Sequence, residues 1–171
     1  AIRGVHREDD EKAQAELAEA EILAKSLIEE LAAFPNLYYA GYTQDALKEY
    51  AEASAVIAVV KGLPLPSHTD LGIIPPTYLK GLAETIGEMR RRCLDMLRKG
   101  HAAEVESILQ SMEDIFGVLE TMDYPDAVTF GLRRLTDISR SIIERTRGDI
   151  TMSLRQEKLQ DSLMKLESRF E

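Results

Sequence analysis

The sequence predicts an all-α fold, a bundle of long amphipathic helices. Apolar residues recur at intervals of three and four through most of its 171 positions, and no alternating strand pattern or hairpin signal interrupts them. The breaks fall at Phe34-Pro35-Asn36, Gly62-Leu63-Pro64, Gly100 and Tyr124-Pro125, residue types that end helices. A hydrophobic content of 44% suffices for one core, so residues 1–171 read as one domain.

The opening Ile2-Arg3-Gly4-Val5-His6 reads as the end of a segment that continues upstream. From Asp9 to Ala33 the chain is rich in Ala, Glu, Leu and Lys, with Leu17, Ala20, Leu23, Leu27 and Leu31 supplying an apolar face, which predicts a long amphipathic helix. A second helix is expected over about Tyr38–Lys61. Residues 62–75 hold three prolines and are expected to form a connecting loop without regular structure. A central helix opens at Pro75-Pro76, where proline pre-sets the first turn, and carries Leu82, Ile86, Met89, Cys93 and Leu97 to about Lys99. Another runs through Val105, Met112, Ile115 and Leu119 to Met122. The last segment, from about Asp126 to Phe170, keeps helical spacing from Leu132 through Leu166, with Gly148-Asp149 expected to kink or split it. Residues 149–171 form a helical extension whose Leu154, Leu159, Leu163 and Leu166 are expected to be buried against this chain or a neighbouring copy.

The charge balance is acidic, net -9 with pI near 4.9. That argues against indiscriminate binding to nucleic acid or anionic membranes, so a polyanion would need a local basic site or a metal bridge. The single cysteine, Cys93, has no intrachain partner and lies on an apolar face without an adjacent histidine; the chain reads as a reduced, cytoplasmic protein. No apolar run approaches the ~20 residues of a membrane span.

Chemistry gathers on two predicted helices. Glu84 and Glu88 project from one face of the central helix beside Gly81 and Gly87, whose missing side chains suggest a close approach to this backbone. On the preceding helix Glu49 and Glu52 continue into an apolar stripe with Val56, which predicts partial burial. Packed antiparallel across the proline-rich loop, the two helices bring four carboxylates together. Four like charges in one cleft call for a cation, and all-oxygen ligation selects Mg²⁺, with Mn²⁺ as the alternative, over zinc. A di-iron bundle would need Glu-x-x-His motifs; His6, His68 and His101 fit none and read as surface or loop residues. Solvated faces with local ion pairs are the ordinary reading of both the glutamates and Arg90-Arg91-Arg92. Arg91 and Arg92, three and four residues past Glu88, are placed to offer cations to a phosphate.

At these residues the chain resembles the translin family, and within it the catalytic branch, translin-associated factor X. The resemblance rests on Glu49-Tyr50-Ala51-Glu52-Ala53, similar to the family's Glu-Tyr-Val-Glu-Ala, and on Pro-x-x-Tyr-Leu-x-Gly ending at Gly81. It continues through Glu84-x-x-Gly87-Glu88-x-x-Arg91-x-Cys93, where the catalytic branch has Asp-x-x-Gly-Glu, and extends nearly to Gly148. Translin itself lacks most of these acids. Glu84, one methylene longer, stands for the family's Asp.

The resemblance implies an α-helical fold, homo-oligomers forming a closed shell around RNA, and Mg²⁺-dependent cleavage of single-stranded RNA. The expected function is therefore a metal-dependent endoribonuclease in which Glu49, Glu52, Glu84 and Glu88 hold the ion and serve catalysis, with Arg91 and Arg92 on the RNA. A non-catalytic RNA-binding scaffold and a helical interaction module are the alternatives.

Overall fold

The computed structural model describes residues 1–100 and 102–168, and the side chains of all of these except 102–104. Among them it contains helices and no strand: α1 Ile2–His6, α2 Asp10–Leu31, α3 Pro35–Tyr38, α4 Gly41–Lys61, α5 His68–Leu71, α6 Pro75–Arg98, α7 Ala102–Glu120, α8 Asp126–Thr129 and α9 Leu132–Glu167. The expected all-α bundle is the observed fold.

Local chemistry explains the boundaries. The Asp9 side chain accepts from the Lys12 backbone N–H and caps α2. Gly62, at φ 63°, ends α4 in the left-handed conformation that glycine adopts without strain. Pro75 and Pro76 occupy the first turn of α6, where their missing N–H groups cost nothing. The segment expected to be irregular contains α5, because Ser67 and Asp70 form a reciprocal capping box at its start. Gly148 does not split α9: the helix continues to Glu167, with nothing within 4 Å of the space a Cβ would take.

The packing of α4 on α6, the most extensive in the molecule, differs from expectation in direction. Thr77 donates to Gln44, Gly81 lies against Ala51, and Lys48 reaches Glu84, so the two helices run parallel. The proline-rich segment makes this possible by running back along α4. Its Leu71 and Ile73 cluster with Leu47, Tyr50 and Ala51, and the Tyr78 hydroxyl donates to the Pro66 carbonyl. α7 then returns antiparallel to α6, and α9 antiparallel to α7, as the pairs Arg140–Glu120 and Arg147–Glu113 show. Arg90 ties α6 to α9 through Thr146 and Asp149. The core between them holds Val56, Ile86, Met89, Cys93, Met112, Ile115 and Leu119, all fully buried.

Continued at the register of those two ion pairs, α7 runs out of residues near Lys158 of α9. Leu154 packs against the core, whereas Leu159, Leu163 and Leu166 are exposed among the described residues. Phe170 lies outside the described residues.

The two glycines singled out in α6 part company. A Cβ on Gly81 would lie 2.9 Å from the Ala51 Cβ, 3.0 Å from the Lys48 carbonyl oxygen and 3.1 Å from the Glu52 nitrogen, so α6 rests directly on the α4 backbone. Gly87 has nothing within 4 Å. Gly81→Ala should therefore destabilise the fold by ~1–3 kcal/mol through overpacking. Gly87→Ala should stabilise it by ~0.5–1 kcal/mol, the usual helix-interior gain. Denaturant unfolding of both variants checks the pair; equal effects would refute the close approach.

Candidate metal centre

The contact at Gly81 sets two charged rows side by side. Lys48, Glu49 and Glu52 leave α4 within one turn of that contact, and Glu84 leaves α6 one turn beyond it. Glu49, Glu52 and Glu84 each offer a carboxylate oxygen, and these three atoms lie within 4.8 Å of one another. That is about twice a typical divalent metal–oxygen distance, so three such oxygens can share one ion. A set of hard carboxylates suits Mg²⁺ or Mn²⁺.

The surroundings of the acids differ. Glu52 is buried, at 6% exposure, while the Glu49 side chain is 64% exposed, so only one of the two expected to be partly buried is. Burial pushes the Glu52 carboxyl up to about 7, and the negative charges of Glu49, Glu84 and Glu88 add to this, with Lys48 opposing them. Lys48 lies between the two helices: its Nζ is 2.5 Å from Glu84 Oε2 and 3.0 Å from Glu49 Oε1, with 14% of the side chain exposed. Burial works against the Lys48 charge, yet the hydrogen bonds to Glu84 and Glu49 outweigh it and hold its pKa above the ordinary lysine value.

Glu88 stands outside the three-oxygen cluster. Its Oε2 is 2.5 Å from His6 Nε2, and the His6 side chain is only 4% exposed. The reading of His6 as a surface residue is therefore wrong. Gly4 packs against Ala13, where a Cβ would lie 3.0 Å from the Ala13 Cβ, and this close seat holds α1 on α2 with His6 reaching Glu88 of α6. Glu8, at φ 60° in the turn after α1, pairs with Arg92 and Lys99 and fixes the same junction. His6 Nδ1 is buried and has no hydrogen-bond partner among the described residues. His68 opens α5, partly exposed beside Tyr78, and His101 lies outside the described residues.

The arginine run divides three ways. Arg90 is held by α9, Arg92 by Glu8, and Arg91 is exposed, making no ion pair with described residues. A cleft of about 660 Å³ opens beside Glu49 and Tyr50 along α1 and α2, and its lining sets Arg3, Arg7 and Lys12 among the acids Asp9 and Glu16. His6 and Lys48 carried no spacing signal toward the site, because the carboxylates they reach on α6, Glu88 and Glu84, lie on another helix. Cys93 is buried as expected, and burial pushes its thiol up to about 11, away from nucleophilic chemistry.

Known proteins share this architecture. The chain is 35% identical over 168 residues to an uncharacterised protein of Methanocaldococcus jannaschii, an alignment covering 97% of this chain and 74% of that protein. AfC3PO, solved alone and in complex with duplex RNA, superposes with a TM-score of 0.84 at 30% identity, covering 91% of this chain and 80% of that one. Apo-NeC3PO superposes with a TM-score of 0.80, also at 30% identity, over 89% and 79% of the two chains. No family model matches the sequence. Shared fold and sequence over nine-tenths of its length place the chain with these translin/TRAX-type proteins: it belongs to the translin family.

Proposed function

We propose that the protein is a metal-dependent endoribonuclease. The observation that carries this reading is the convergence of Glu49, Glu52 and Glu84 oxygens beside the close contact that Gly81 makes with the α4 backbone. Their chemistry fits Mg²⁺ or Mn²⁺, and an ion held by them would supply positive charge at a phosphate and acidify a bound water.

The chain's own residues supply the rest. Glu52 is anchored in the core and fixes one ligand position, while exposed Glu49 faces the cleft in which Arg3, Arg7 and Lys12 alternate with Asp9 and Glu16. Glu88 gives one oxygen to His6, which leaves Oε1 to complete the ion's ligands or to accept a proton from an attacking water. Arg91 is exposed one turn past Glu88 and is the member of the arginine run best able to reach a phosphate; Arg92 reaches one by leaving Glu8. Water attack leaves a 5′-phosphate and makes no demand on the ribose 2′-hydroxyl. RNA as substrate is supported by family membership and by the duplex RNA bound to AfC3PO.

The direct test is cleavage of labelled single-stranded and duplex RNA with Mg²⁺, Mn²⁺ or chelator. Glu52→Gln and Glu84→Gln, each folded and assembled like the parent, should lower turnover by ~100-fold or more, because ion placement and water activation fail together. RNA binding should persist and weaken with added salt. Full metal-dependent turnover in both variants would remove the site and favour a non-catalytic RNA-binding role.

Glu52 also makes the metal-free protein sensitive to pH. Its folded pKa, about 7, lies above the unfolded value of 4.5, so the folded state holds the extra proton between these values. Its contribution to stability therefore falls as pH rises from ~4.5 to ~7 and is flat above, a loss of at most ~3 kcal/mol. Thermal melts in chelator should show Glu52→Gln gaining on the parent from pH 5 to pH 8, by several degrees at ~2–4 °C per kcal/mol. A difference independent of pH would show that Glu52 is ionised throughout.

A further inference from the structure

We propose that Lys48 is a built-in counter-ion of the acid cluster, occupying it when no divalent cation is bound and displaced from Glu84 when one binds. The inference rests on the metal-centre reading above. The ammonium lies between the two carboxylates that flank buried Glu52, bonded to both Glu84 and Glu49, at the point where α4 and α6 touch.

Two physical arguments lead there. Glu49, Glu52 and Glu84 bring like charges within 4.8 Å of one another, and Lys48 is the cation bonded to two of them. Without it, the apo cluster would push apart the two helices that Gly81 holds in backbone contact. An ammonium and a divalent ion also seek the same oxygens. Glu84 is one of the three carboxylates that can share an ion, and one of its oxygens is committed to Lys48. A cation drawn to that site meets repulsion from Lys48 and must take Glu84 from it. Lys48 therefore sets the concentration of divalent cation at which the centre assembles, and keeps the bundle intact below that concentration.

The arrangement is specific in sequence terms. Lys48 immediately precedes Glu49, so it projects from α4 about 100° from it, toward α6 rather than toward solvent. At the Gly81 contact the Lys48 carbonyl oxygen itself lies 3.0 Å from the position a Cβ would take.

Mn²⁺ titration of the full chain, read by electron paramagnetic resonance, tests this alongside thermal melts in chelator and in saturating Mn²⁺. Lys48→Met should bind Mn²⁺ at least ~10-fold more tightly than the parent, since a unit charge within a few ångströms of the site is gone. In chelator it should melt below the parent; in saturating Mn²⁺ that deficit should vanish. Lys48→Arg, which keeps the charge, should bind Mn²⁺ like the parent. If Lys48→Met does not unfold cooperatively, Lys48→Gln carries the same measurement. Equal or weaker Mn²⁺ binding in the charge-removing variant, or a deficit in melting temperature that Mn²⁺ does not relieve, overturns the proposal and makes Lys48 a packing residue. No Mn²⁺ binding by either parent or variant overturns the metal centre itself.

Discussion

The seating of α6 on α4 at Gly81 is the constraint on which the rest depends. A side chain there would meet backbone atoms that cannot move aside, so the absence of one lets two helices touch main chain to main chain. The contact falls between the carbonyl of Lys48 and the nitrogen of Glu52, in the middle of the charged row. Bringing these backbones together buries Glu52 and sets carboxylates from both helices into one small volume; burial first, and the neighbouring negative charges second, raise the pKa of Glu52. The core stripe of Ile86, Met89 and Cys93, packed on α7 and α9, supplies the burial that holds the arrangement closed.

How the charge is balanced gives the site its character. Lys48 answers its neighbour Glu49 and, across the helix contact, Glu84, and His6 answers Glu88; the two pairs that reach α6 join elements far apart in sequence. The acids are thereby sorted into a cluster of three and one set apart by an imidazole. A carboxylate with one oxygen engaged and the other free differs chemically from one exposed to solvent, and this division gives Glu88 a role distinct from the other three. The α1–α2 junction matters for the same reason: Gly4 against Ala13, and Glu8 on Arg92 and Lys99, place His6 where Glu88 can use it.

Much of this was legible in the sequence, and the parts that were not have physical causes. Helices α2, α4, α6, α7 and α9 could be read because their apolar stripes are local, and α6 opens on prolines in the place proline favours. The direction of α6 relative to α4 could not be read, because a segment of thirteen or so residues can either turn tightly or run back along a helix. The capping box at Ser67 and Asp70 was present but lay among prolines that argued for a loop. Gly81 and Gly87 look alike in sequence; six residues apart, they differ by about 240° around the helix, so only one faces α4. The four acids were found by helical spacing and by family resemblance. His6 was not, since its partner lies 82 residues away. The exposed leucines of the last turns of α9 follow from register: α7 ends before α9 does.

The central claim is that Glu49, Glu52 and Glu84 form a divalent-cation centre. Its most direct test is a crystal structure grown with Mn²⁺, with diffraction collected at the manganese absorption edge. The account predicts an anomalous peak at coordination distance from one oxygen of each of the three carboxylates, with the Lys48 ammonium moved off Glu84. An anomalous map with no peak between α4 and α6, and Lys48 still bonded to Glu84, would contradict it.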